Sequence, residues 1–155
     1  MTLKQKTDYK KQLLRISLDI LEKRIASNQL AIDNAQASAN EEEKSSAGDK
    51  YETSRAMSHI EKDMYAKQLA ANKNEIAALL SVDCTKLYSS IVPGAVIKCS
   101  GCTFFIAAGL GKITVEGEIV YLLSPNVPLA KLLYNKSKGD GIFFNDKELL
   151  ILDVY

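Results

Sequence analysis

Hydrophobic residues in the first half of the chain recur at the spacing of a long α-helix. From about residue 8 to residue 43 there is neither Gly nor Pro, and most residues are good helix formers. Along this stretch one set of positions follows alternating steps of four and three: Leu14, Leu18, Leu21, Ile25, Asn28, Ile32, Ala35 and Ala39. Such a heptad seam is typical of a helix that packs lengthwise on a partner, and a single buried Asn commonly fixes its register.

A second stretch, from Asp49 to about Leu80, has the same helical character. It also lacks Gly and Pro, and its apolar stripe comprises Met57, Ile60, Met64, Ala71, Ile76, Leu79 and Leu80. Between the two stretches, residues 45–48 (Ser-Ser-Ala-Gly) are turn formers. Two helices of similar length joined by a short turn predict an antiparallel coiled-coil hairpin, with arms on the order of 50 Å long at 1.5 Å per residue.

The pattern changes after Val82, where short β-rich runs replace the helical spacing. Turn residues separate six predicted strands, over residues 95–99, 103–107, 113–115, 119–123, 142–144 and 149–154. One short helix is predicted over residues 128–134, with Pro128 in its first turn. We therefore predict an α+β chain. Residues 1–82 form the coiled-coil hairpin, with an acidic tip near residues 45–55, and residues 83–155 form a small antiparallel sheet domain with one short helix.

Composition and charge narrow the classes of function. The chain has 155 residues, 46% hydrophobic and 25% charged, which is ordinary for a protein with a buried core. Its net charge of +1 argues against nucleic-acid binding across the whole surface. No stretch approaches the roughly 20 apolar residues of a membrane span. Charged residues interrupt any signal peptide, and the three cysteines are an odd number, so we expect a reduced, cytoplasmic protein without a membrane partner.

The pair in Cys99-Ser-Gly-Cys102 has the spacing of both zinc sites and redox centres. A zinc site would need two more ligands, and only Cys84 and His59 remain. A redox motif would need a strand-to-helix junction, whereas strands are predicted on both sides. We therefore predict a hairpin turn flanked by ordinary cysteines, and a surface or seam position for His59.

Asp49 and Glu52 at the hairpin tip allow two interpretations. Asp-x-x-Glu at the start of a helix is a capping-box-like pattern, with Asp49 at the N-cap and Glu52 at the third helical position. Alternatively, two carboxylates one helical turn apart can hold a hard divalent cation jointly with another molecule. Mg²⁺ in particular takes one or two carboxylates from a protein and completes its shell with waters and substrate phosphates. The residues alone leave both interpretations open.

Two motifs resemble those of Gre-type bacterial transcript cleavage factors. Gly48-Asp49-Lys50-Tyr51-Glu52 resembles the family's Gly-Asp-x-x-Glu at the tip of its coiled coil. Residues 127–140 resemble the family's Ser-Pro-Leu-x-x-Ala-Leu-x-Gly-Lys-x-x-Gly-Asp, with identities at Pro128, Leu129, Leu133, Lys136, Gly139 and Asp140. The chain differs from the second motif at Val127, Leu132 and Asn135. After Glu52 it reads Thr-Ser-Arg-Ala, where the family tends to read Asn-Ala-Glu-Tyr.

The resemblance implies a fold and a mechanism. The sheet domain would be FKBP-like and would dock at the secondary channel of RNA polymerase. Asp49 and Glu52 would be the catalytic residues and the ligands of a Mg²⁺ ion shared with the polymerase, beside the 3′ end of a nascent, backtracked RNA. The free protein would be a monomeric accessory factor rather than an enzyme, with no tightly bound metal. The implied partner-binding residues are Ser124, Pro125, Pro128, Leu129, Lys131 and Leu133.

Two other functions stay open at this point. The chain could be a Gre-like regulator that occupies the secondary channel without stimulating cleavage, with the acidic pair serving as a cap and a charge contact. It could also be a coiled-coil interaction protein unrelated to polymerase. A peptidyl-prolyl isomerase is disfavoured, because the chain has no Trp to form the floor of a proline pocket and because fold alone does not confer function.

Overall fold

The computed structural model describes the backbone of residues 1–43 and 48–155 and the side chains of residues 1–41 and 52–155. In this part of the chain the elements are, in order, α1 (Leu3–Glu43), α2 (Gly48–Leu80), β1 (Val96–Cys99), β2 (Thr103–Ile106), β3 (Gly111–Val115), β4 (Glu118–Leu123), α3 (Pro128–Leu133), β5 (Gly141–Phe144) and β6 (Lys147–Val154). The α+β class is therefore confirmed. None of the helices described combines the length and the apolar character that crossing a bilayer requires.

The chain divides into two compact units. One contains Met1–Asp19 together with Ile76–Tyr155, and the other contains Ile20–Glu75. The base of the helical hairpin thus groups with the sheet, whereas the sequence placed the boundary at residue 82.

In the Ile20–Glu75 unit, α1 and α2 pack side by side in opposite directions. Asn28 Nδ2 donates a hydrogen bond to Gln68 Oε1 (2.9 Å), and Asn72 Nδ2 donates one to Asn28 Oδ1 (2.7 Å). Further along α1, Lys62 Nζ donates to Gln36 Oε1 (2.6 Å). Because partners descend on α2 as they ascend on α1, the helices are antiparallel. The predicted antiparallel hairpin is confirmed, and Asn28 lies in the contact between the helices with polar partners on α2.

The two helices differ in how well the sequence predicted their contact faces. On α1 every member of the predicted seam is buried or half-buried. On α2 the prediction holds only for Ile76 and Leu79. The other members of the predicted stripe are exposed: Met57 (58%), Ile60 (67%), Met64 (46%), Ala71 and Leu80 (66%). The less exposed side of α2 is a neighbouring set with the same heptad spacing: Ser54, Ser58, Lys62, Tyr65, Leu69 and Asn72.

The sheet has the strand order β3-β4-β2-β1-β6-β5. Four of its neighbouring pairs are antiparallel, but β2 and β4 run parallel, with Thr103 beside Val120. The sheet is therefore mixed, and the prediction of a mostly antiparallel sheet holds for four of its five strand pairs. Two hairpins close with two-residue turns of positive φ, at Glu116-Gly117 and Asn145-Asp146. This geometry is that of type I′ turns, which match the twist of the flanking strands.

Both faces of the sheet are partly covered. On one face, buried residues such as Ile97, Phe104 and Ile151 pack with Ala130 and Leu133 of α3. The residues that alternate with them point to the other face, where the N-terminal part of α1 lies. There Lys98 Nζ is 5.2 Å from the centre of the Tyr9 ring, and Lys6 Nζ is 2.7 Å from Asp153 Oδ2. The sheet is thus the middle layer of its unit.

Candidate functional site at the hairpin tip

The start of α2 carries the acidic pair. The helix begins at Gly48, which makes Asp49 its second residue and Glu52 its fifth. A capping box depends on the residues around the N-cap, and residues 44–47 lie outside the described part of the chain, so the capping interpretation stays a prediction. The side chain of Glu52 is exposed, and that of Asp49 lies outside the described residues. Positions three apart lie on one face of a helix, so positions 49 and 52 of the backbone share one side of α2.

Small side chains pack between the helices on the tip side of their unit. Ala35 and Ala39 are the buried residues there on α1, and Ser54 and Ser58 are the half-buried ones on α2. The distance between two helix axes depends on the side chains at their contact, so small residues allow a close approach and a slender arm.

The tip can supply part of a metal site. Among the described residues, no three His, Cys, Asp or Glu side chains come together as a cluster that could hold a metal ion. Of the pair, only the Glu52 side chain is described, and it is exposed. A hard cation such as Mg²⁺ needs about six oxygen ligands. A Mg²⁺ ion held at Glu52 would therefore need most of its ligands from outside the described residues.

The segment around α3 presents fewer of the predicted partner-binding residues than the sequence suggested. Leu133 is completely buried in the sheet core, and Leu129 is half-buried against it. Pro128 and Lys131 are exposed, and so is Leu132, at 49%. The sequence did not indicate that Leu132 is exposed, because the burial of Ala130 and Leu133 that defines the inner face of α3 is known only from the structure.

Ser124 and Pro125 form the turn that leads into α3, and both are half-buried. The Val127 N–H donates a hydrogen bond to the Ser124 carbonyl (3.3 Å). The Tyr134 hydroxyl at the end of the helix donates to the Pro125 carbonyl (3.0 Å). This turn is therefore fastened to both ends of α3, and it presents a fixed shape beside Pro128.

The cysteine pair is a hairpin turn, as predicted. The Cys99 N–H donates to the Cys102 carbonyl (2.9 Å) between β1 and β2, and both thiols are free. Burial raises the pKa of Cys99 to about 12 and also raises the pKa of Cys102. Because the thiolate is the nucleophile and the metal ligand, these protonated thiols are poorly suited to either role at neutral pH. His59 is exposed on α2, one of its two predicted positions.

Lys10 is a buried charged residue that the sequence did not single out. Its ammonium group donates a hydrogen bond to the Lys86 carbonyl (2.7 Å) and lies 4.5 Å from the centre of the Tyr88 ring. Burial lowers the pKa of Lys10, although the nearby Cys84 and Asp83 act in the opposite direction. These contacts anchor α1 to the segment that follows α2.

Comparison of the chain with protein-family models, with curated proteins and with solved structures finds no match. The argument for function therefore rests on the residues and the geometry of the chain itself. The relevant features are the exposed carboxylate of Glu52, a second carboxylate residue at position 49, and the antiparallel pair of helices that carries both.

Proposed function

We propose that this protein is a Gre-like transcription elongation factor of bacterial RNA polymerase. Its helical hairpin enters the secondary channel, and its tip stimulates cleavage of backtracked transcripts. The observation that carries the proposal is the pair Asp49 and Glu52 on one side of the first turns of α2, with the Glu52 side chain exposed. The sheet domain, under this proposal, is FKBP-like and provides the docking surface.

The dimensions of the helix pair support this proposal. The part of α2 over residues 48–75 is on the order of 40 Å long at 1.5 Å per residue. The small residues between the helices keep the pair narrow near the tip, and the amide network at Asn28 fixes its register. A long, thin and well-registered pair is suited to carrying two carboxylates into a confined site in a larger protein.

The chemistry follows from the two carboxylates. Asp49 and Glu52 would hold a Mg²⁺ ion together with ligands from the polymerase, close to the scissile phosphodiester. When bound, such an ion activates water as a nucleophile and neutralises charge that develops on the phosphate. The carboxylate oxygens also accept hydrogen bonds, so the same side chains would orient the attacking water. The protein lends these groups and does not complete the site alone.

The docking surface proposed on the sheet domain is made of Pro128, Lys131 and Leu132. These side chains of α3 are exposed next to one another, whereas Leu133 holds the helix to the sheet. Lys131 beside the exposed Leu132 suits a polymerase surface that has acidic residues around an apolar pocket.

A non-cleaving regulator of the same channel is the second candidate. The observation that favours it is the composition of α2 just after Glu52. Arg55 and Ala56 are exposed there, at the positions where Gre-type factors tend to carry a further acidic and an aromatic residue. A tip with this surface could bind in the channel and still lack part of the machinery for cleavage.

The test is a transcript cleavage assay on backtracked elongation complexes of the cognate polymerase with Mg²⁺ present. Wild type is compared with Asp49→Asn and Glu52→Gln, which keep side-chain size and remove one charge each. Glu61→Gln is the matched control, because Glu61 is an exposed carboxylate of α2 away from the tip. We expect each tip variant to reduce the cleavage rate at least about tenfold, as loss of a metal contact typically does, and the control to leave the rate unchanged.

Binding to polymerase is measured in parallel by fluorescence anisotropy. Retained binding by the tip variants with lost cleavage would establish the role of the carboxylates. Tight binding without cleavage by any of the proteins would reject the cleavage function and favour the non-cleaving regulator. Absence of binding would reject polymerase as a partner and favour a coiled-coil interaction protein with another function.

A further inference from the structure

The two edges of the sheet differ in how they are protected. The strand order places β3 at one edge and β5 at the other. β3 carries the exposed Lys112, and a charged residue is a common device that prevents an edge strand from pairing with another chain. β5 reads Gly-Ile-Phe-Phe, has no charge, and exposes 70% of Phe143. The β5 edge is therefore open to a further strand.

The register of the β5–β6 hairpin shows which backbone groups are available at this edge. Phe144 and Lys147 flank the two-residue turn, so they form a hydrogen-bonded pair, and Ile142 with Leu149 is the next such pair. The same parity continues at Asp140, whose carbonyl accepts a hydrogen bond from the Ile151 N–H (2.9 Å). The intervening residues, Gly141 and Phe143, consequently direct their N–H and C=O groups away from β6.

We propose that β5 pairs with β5 of a second copy of this chain. The two strands would run antiparallel about a twofold axis at Ile142, so that Gly141 of each copy lies opposite Phe143 of the other. Two hydrogen-bonded pairs then form, with up to four backbone hydrogen bonds. This is an isologous contact, which closes after two copies.

The side chains on the outer face fit this pairing. Phe143 of one copy would lie over Gly141 of the other, once the flexible end of the exposed Glu148 side chain beside this glycine moves aside. An aromatic ring that covers a glycine on a neighbouring strand is a known stabilising arrangement. Leu150 is exposed and is paired with Gly141 in the hairpin, so the Phe143 ring of the other copy would also contact the Leu150 side chain. Each copy therefore supplies both the large residue and the space for its counterpart.

The glycine has no evident role within one copy. The backbone at Gly141 is outside the left-handed region that requires glycine. An added Cβ would approach only the side chain of Glu148, whose Oε1 would be 3.1 Å away, and that side chain is the flexible end of an exposed residue. A small side chain is thus compatible with the fold when Glu148 moves slightly, so no contact within one copy requires glycine here, whereas the ring of a second copy does.

The contact is small, so the dimer is weak. Pairing of two four-residue strands covers on the order of a few hundred Å² per copy, against about 800 Å² per partner in stable complexes. We expect a dissociation constant on the order of 0.1–1 mM, in rapid exchange. This inference does not depend on the proposed function, because cleavage assays use far lower protein concentrations.

The experiment combines sedimentation with amide NMR on the full chain, from roughly 20 μM to 1 mM, the range set by the expected affinity. With rising concentration, the amide signals of Gly141 and Phe143 should shift and exchange more slowly with solvent. Those of Ile142 and Phe144 already donate to β6 and should keep their exchange rates. Phe143→Glu should weaken association at least about tenfold by placing a charge in the contact. Ile60→Glu makes the same change at an equally exposed site on α2 and should leave association intact.

Three results would overturn the proposal. One is a monomer throughout the concentration range. Another is association that survives Phe143→Glu or is abolished by Ile60→Glu. The third is association that is unaffected by Gly141→Val, because a side chain at this position would exclude the ring of the second copy. Since Phe143 is exposed and Gly141 lies at an edge, the NMR spectra also report whether each variant keeps the fold.

Discussion

The amide network between α1 and α2 allows a quantitative test of how the hairpin keeps its register. In the variant Asn28→Ala, the hydrogen bonds to Gln68 and Asn72 are both lost. Each is worth about 1 kcal/mol net, at the lower end here because the site is half-exposed and water replaces part of the loss. Alanine returns about 0.5 kcal/mol through its higher helix propensity. We therefore expect Asn28→Ala to lower the free energy of unfolding by about 0.5–1.5 kcal/mol.

A double-mutant cycle isolates the bond itself. Asn28→Ala, Asn72→Ala and the double variant should give a coupling energy of about 0.5–1.5 kcal/mol, in which the helix propensities cancel. The measurement is urea unfolding followed by far-UV circular dichroism, with m-values compared among the variants. The control cycle uses Gln29 and Asp33, an exposed hydrogen-bonded pair one turn apart on α1, for which at most about 0.5 kcal/mol is expected. Equal coupling energies in the two cycles would refute a special role for Asn28.

Two further predictions concern the sheet unit. Leu133→Ala removes a completely buried side chain and should destabilise the protein by about 2–5 kcal/mol in thermal or urea unfolding. Leu132→Ala, at an exposed position, should change stability by less than about 1 kcal/mol. Similar losses for the two variants would contradict the assigned orientation of α3. The second concerns pH: burial raises the pKa of Cys99 from 9.0 to about 12, so the protonated thiol stabilises the fold below pH 9 and this contribution is lost as the pH rises from about 9 towards 12. The free energy of unfolding should thus fall more steeply over this alkaline range for wild type than for Cys99→Ala, and parallel curves would show that Cys99 does not contribute to the pH dependence.

The candidate site could be predicted from the sequence only in part. The positions of Asp49 and Glu52 at the start of α2 followed from turn residues that end one helical pattern and precede the next, which is local information. The sequence did not predict which of Leu132 and Leu133 is the exposed residue of α3. A single turn of helix gives too few apolar positions to define a face, so the sheet against which it packs decides which leucine is buried.

The sequence by itself determined the kind and the order of the elements. Two stretches without Gly or Pro and with heptad spacing became α1 and α2, because helix formation depends on propensity and on a continuous apolar stripe. The alternating runs between turn residues form the six strands, and each strand ends within a few residues of its predicted ends. Asn28 also lies in the predicted seam, where it meets polar partners on α2, as one polar residue in an apolar seam requires.

The tertiary structure decided which faces and directions these elements use. α2 carries two stripes of heptad spacing, and the more apolar one, with Met57, Ile60 and Met64, is exposed. Ala35 and Ala39 are buried on α1 while Ser54 and Ser58 are the half-buried residues near the tip on α2, and this choice of stripe depends on both helices together. The parallel pairing of β2 with β4 depends likewise on a connection through β3, and alternation along a single strand has the same form in either direction. Local periodicity specifies an element, but its partner is chosen by packing between residues far apart in the chain.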